Sequence, residues 1–156
     1  MQLKWHKIFS IIGGGSLLML TFFRENMLLA INALISHQQI NRAYSYWFAN
    51  FFKALPYTDL VKWKWGITAF FTLLMSAITI FSLHCWFKNQ SMVRFLILLY
   101  GIVFMLLALL GGGAFLMGEF DAIYFVLRLI IGAFQSPLPF FVFFVLIYFK
   151  EHTNQI

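Results

Sequence analysis

The stretch AIYFVLRLIIGAFQSPLPFFVFFVLIYF, Ala122 to Phe149, decides the fold. A hydrocarbon core of roughly 30 Å takes about 20 residues of apolar helix, and this segment is apolar enough to span it. Two features are costly there. Arg128 brings a charge into hydrocarbon, and Pro137 and Pro139 each remove a backbone donor. Lipid offers no replacement partner, so such groups call for satisfaction from within the protein. The segment therefore predicts a broken membrane helix with a polar site beside the break.

Composition agrees. Of 156 residues, 62% are apolar and 10% charged, a balance that no water-soluble core of this size could bury. Four segments approach membrane length, at about residues 8–30, 66–86, 94–117 and 122–149. The expected fold is all-α: one membrane domain, 1–156, of four transmembrane helices. Its net charge of +6 comes from Lys and Arg scattered singly or in pairs between apolar runs, without the basic stripe of a nucleic-acid binder. Cys85 stands alone, which excludes an internal disulfide and a multi-cysteine metal site.

Lys4, His6 and Lys7 precede an apolar run from Ile8 to Phe23 in the manner of a signal peptide, but no small-residue cleavage site follows. An uncleaved first span is expected, with a helical extension to Ile35. Gly13 to Gly15 in this span and Gly111 to Gly113 in the third read as faces for close helix packing. Residues 36–65 mix charged and aromatic side chains. Tyr44, Trp47, Phe48 and Phe51 recur at helical spacing, which predicts a short amphipathic helix on the membrane surface before a turn at Pro56 and Asp59. Phe87 to Val93 form a short loop, making spans two and three antiparallel neighbours.

With both termini inside, Lys4, Lys7, Lys88, Arg94 and Lys150 face Arg42, Lys53, Lys62 and Lys64 across the bilayer, a narrow majority for the positive-inside rule. This topology collects Arg24, Glu25, Glu119, Asp121 and Arg128 in the outer half. Arg128 would pair with Glu25 or Glu119, and Arg24 with Asp121 or outward with water. Pro137 leaves the carbonyl of Ala133 without its helical donor, which Gln135 and Ser136 are placed to replace. The functional reading is a pocket lined by Arg128, Gln135, Ser136, Glu25 and Glu119, beside Arg24 and the kink at Pro137 and Pro139. The competing reading is a structural ion pair and a packing kink.

Other constellations carry less chemistry. His84 and Cys85 are adjacent, so on a helix their side chains diverge by about 100° and make a poor catalytic dyad. His6, His37, His84 and His152 lack metal-ligand spacing, and no cofactor motif is present. The glycine triplets lack the Lys and Ser or Thr of a phosphate loop.

Phe23-Arg24-Glu25 and Arg128-x-x-x-Gly132-x-x-Gln135-Ser136-Pro137-Leu138-Pro139 resemble the exosortase-associated small membrane proteins of Bacteroidetes. Size and span count agree over the whole chain, while the motif itself covers about 20 residues. The resemblance implies a non-enzymatic accessory in the bacterial inner membrane, whose partner is an exosortase-type sorting transpeptidase or its substrate's membrane anchor. The alternative is a small transporter or anion conductor built on the broken fourth span.

Overall fold

The computed structural model describes residues 5–36, 48–117 and 120–153, and among them every element is helical. Six helices follow in order: α1 (Trp5–Ile35), α2 (Ala49–Lys53), α3 (Tyr57–Phe87), α4 (Gln90–Met117), α5 (Phe120–Phe134) and α6 (Leu138–Thr153). Three are long and apolar enough to cross a membrane, and the α5–α6 pair makes a fourth if it counts as one bent span. Phe125, Leu129, Leu109 and Phe149 are among many large apolar side chains that stay exposed, a surface suited to lipid and not to water.

The bundle is organised around the pairing of α1 with α3, its most extensive helix contact. Thr72, Ser76, Thr79 and Ser82 recur at three- and four-residue spacing on α3 and are all buried. Their small size lets α1 approach closely. A Cβ on Gly13 would collide with the Ser82 hydroxyl, and one on Gly14 would lie 3.1 Å from the Phe140 ring of α6. In the first glycine triplet Gly13 and Gly14 thus work as a packing face, whereas a Cβ on Gly15 would meet nothing among the described residues. In the second, Gly111 meets only Leu127 at an ordinary distance, and Gly112 and Gly113 meet nothing among the described residues.

Hydroxyl groups in this apolar setting turn back on their own helices. Thr68 donates to the carbonyl of Lys64, Thr72 to Thr68 and Ser76 to Thr72, at 2.6–2.8 Å. Two apolar clusters lie at opposite ends of the α1–α3 pair. One gathers Ala30, Ile31, Phe52, Leu60, Ile67 and Phe71. The other joins Leu17, Met75, Leu83, Leu96, Phe140 and Ile147 from α1, α3, α4 and α6.

Helix boundaries depart from the hydropathy boundaries. Residues 57–65, expected in an interfacial segment, are the first turns of α3, which begins after Pro56 in an extended conformation. Charge ends an apolar run without ending a helix, because water satisfies Lys62 and Lys64 as well on a helix as on a loop. The expected amphipathic helix is represented among the described residues only by α2, five residues long; Tyr44 and Trp47 lie outside them. Phe52 of α2 is buried in the protein, so this turn packs inward while Phe51 faces out. The loop expected at 87–93 contracts to Lys88 and Asn89. Lys88 takes a left-handed conformation (φ 53°) and its amide donates to the His84 carbonyl. Asn89 Oδ1 then accepts from the amides of Ser91 and Met92 and caps α4.

Candidate functional site: a cationic cavity beside the broken helix

The α5–α6 axis bends by 57° at residues 135–137. Each proline orphans the carbonyl four residues before it. Pro137 orphans Ala133, whose oxygen accepts instead from the Ser136 hydroxyl at 2.7 Å. The same hydroxyl accepts from the amide of Leu138 at 3.2 Å and starts α6. Pro139 orphans Gln135, whose carbonyl accepts from Arg24 Nη1 of α1 at 3.0 Å. One substitute donor is local and the other comes from another helix, so the break is held both within its span and against α1.

Gln135 is buried and its side chain completes the junction. Its Oε1 accepts from Arg24 Nη1 at 3.1 Å, while its Nε2 donates to the Thr68 carbonyl at 2.6 Å and to Thr72 Oγ1 at 2.5 Å. A guanidinium can only donate and a carbonyl only accept, so these neighbours fix the orientation of the amide. Arg24 Nη2 donates to Glu25 Oε2 at 2.8 Å, and the Arg24 side chain is only 11% exposed. Three bonds to three acceptor oxygens, two of them on Gln135, offset the cost of placing this guanidinium in the bundle. Its Nε remains buried without a partner among the described residues.

This arrangement exchanges the roles expected for the two arginines. Arg24 turns inward instead of reaching out. It also takes the carboxylate of Glu25, which was expected to pair with Arg128. The cause is the carbonyl orphaned by Pro139, which draws one Arg24 nitrogen inward and leaves the other beside Glu25. Arg128 is exposed on α5 and makes no hydrogen bond or ion pair among the described residues.

Beside the junction lies a cavity of about 170 Å³ between α1, α3 and α5, into which Arg24, Glu25, Arg128 and Gln135 come together. Asn32 of α1 with Lys64, Trp65 and Thr68 of α3 complete its polar wall, and Leu28, Leu29, Leu127 and Ile131 its apolar wall. Among the described residues three cations face one carboxylate, and that carboxylate is already bound to Arg24. The chemistry offered is recognition of a negative group. Ser136, Pro137 and Pro139 do not line the cavity; they build the break that shapes it. Glu119 lies outside the described residues.

Asn32, Lys64, Thr68 and Thr72 belong to the site and were not anticipated. The signal for those on α3 was the four-residue spacing of Lys64, Thr68, Thr72 and Ser76, which marks one face of span two as polar enough to meet another polar group. His84 and Cys85 lie at the opposite end of α3, near Trp86, whose ring stacks under the Lys7 ammonium at 5.1 Å. No group of three metal-ligating side chains occurs among the described residues. Searches of protein families, of curated proteins and of solved structures found no match for the chain.

Proposed function

We propose that the chain is a non-enzymatic accessory protein of the bacterial inner membrane, which uses the cavity at the outer ends of its spans to engage another membrane protein. The observation that carries this reading is the division of labour between the arginines. Arg24 is committed to holding the broken helix, whereas Arg128 stands exposed on the cavity wall with no internal partner among the described residues. A cation on the cavity wall without an internal role points to an external one. The resemblance of the Arg128 to Pro139 motif to exosortase-associated proteins supports an exosortase, or the anchor helix of its substrate, as that partner. Purification in mild detergent from a host carrying an exosortase tests this. The enzyme or its substrate should co-purify with the chain and be lost with Arg128→Leu while the bundle stays folded; recovery of the chain alone would remove the reading.

The 57° bend beside three cations also favours a second reading, an anion conductor. Its test is anion flux into liposomes containing the purified protein. No flux above that of empty liposomes would exclude it.

A further inference from the structure

The cavity has a second chemical property besides its charge: it joins a cationic wall to an apolar one at the level of an aromatic belt. Trp63 and Trp65 are 45% and 41% exposed at the start of the long helix α3, and Trp favours the headgroup boundary. Lys64 lies between them in sequence and lines the cavity with Trp65. Measured along α1, Arg24 lies 17 residues beyond Lys7, about 26 Å at 1.5 Å per residue, just inside the far boundary of a roughly 30 Å hydrocarbon core. The mouth of the cavity is thus at headgroup level and its floor, Thr68 and Gln135, lies below.

We infer that this cavity binds a phosphate group, held by Arg128 and Lys64 above the Arg24–Gln135 junction. Three observations support a phosphate. The two holding cations come from two helices, α3 and α5, and so approach from separate directions, which suits a tetrahedral anion with several acceptor oxygens better than a planar one with two. Arg24 Nε is a buried donor without a partner among the described residues. A cavity of about 170 Å³ has room for a phosphate and part of its ester substituent. The apolar wall of Leu28, Leu29, Leu127 and Ile131 borders the phosphate position, as the acyl chains of a phospholipid would require. The inference rests on the same cavity as the accessory reading and names what its cations hold, but it does not need the exosortase.

Native mass spectrometry of the detergent-purified full chain tests it with three probes: phosphatidylglycerol, diacylglycerol with the same chains, and inorganic phosphate. Phosphatidylglycerol should bind in preference to diacylglycerol, and Arg128→Gln should weaken that binding by about tenfold, the weight of one charge-assisted hydrogen bond. Arg94→Gln, an exposed cation on α4 outside the cavity, should leave it unchanged. Lys64→Gln should weaken binding in the same sense, and unchanged circular dichroism in all three variants excludes unfolding as the cause. Binding of inorganic phosphate as tight as that of the lipid supports the phosphate site and identifies a free anion as its source. Equal binding of diacylglycerol and phosphatidylglycerol, or equal effects of Arg128→Gln and Arg94→Gln, overturns the inference. A positive lipid result with no co-purifying exosortase would end the partner reading and leave the phosphate site standing.

Discussion

Replacing Gln135 by Leu removes the side chain at which α1, α3 and the broken span meet, while leaving its backbone carbonyl to Arg24. Three side-chain bonds are lost: two neutral ones to Thr68 and Thr72, and one from the Arg24 guanidinium. Neutral interhelical bonds in membranes average about 0.6 kcal/mol each and a bond to a charged group contributes about 1.5 kcal/mol, so the variant should be less stable by about 2–3 kcal/mol. The Thr72 hydroxyl keeps its bond to the Thr68 carbonyl, which limits the penalty on α3. Arg24→Leu should cost about 3 kcal/mol, because it also leaves the Gln135 carbonyl without a donor. The two changes share the Nη1–Oε1 bond, so the double variant should fall short of additivity by about 1–2 kcal/mol. Reversible unfolding in mixed micelles, followed by far-UV circular dichroism over all four proteins, measures each term. A Gln135→Leu protein within about 0.5 kcal/mol of the unaltered chain, or strictly additive losses, would refute the junction.

Three further outcomes follow from other contacts. Ser136→Ala removes the hydroxyl donor to Ala133, which keeps the Ser136 amide at 3.3 Å, and the acceptor for Leu138, and should destabilise by about 1 kcal/mol, as loss of a helix cap does, in the same unfolding assay. Gly13→Ala should destabilise by about 1–3 kcal/mol despite the better helix propensity of alanine, because its Cβ meets Ser82; adding Ser82→Gly should restore stability. Asn89→Ala removes the cap of α4 and should cost about 1 kcal/mol, with no effect on phosphatidylglycerol binding in native mass spectrometry, since the turn lies far from the cavity.

Much of the fold was legible because lipid leaves so few solutions: an apolar run of span length in a bilayer is a helix. The bond from Ser136 to Ala133 was also legible, since the effect of Pro137 on the carbonyl four residues earlier is local. The same arithmetic applied to Pro139 names Gln135 as the second orphan. Which distant donor would reach it was not legible, because Arg24 and Gln135 meet only after α1 packs on α3. Helix ends were hidden for a different reason. Hydropathy marks where the hydrocarbon stops, whereas Tyr57 to Trp65 continue α3 into the headgroup region. The inward face of Phe52 was likewise concealed by its neighbours, whose composition suits a membrane surface equally well.

The break in the last span is written by its two prolines and held by Arg24. Spin labels at the lipid-facing positions 125 and 149, in a Cys85→Ala background, measure it by electron–electron resonance in nanodiscs. An unbroken helix would separate these positions by about 36 Å over 24 residues. The bent span should give a clearly shorter distance, and Pro137→Ala with Pro139→Ala should lengthen it towards the straight value. A distance near 36 Å in the unaltered chain, or no change on removing both prolines, would contradict the central claim.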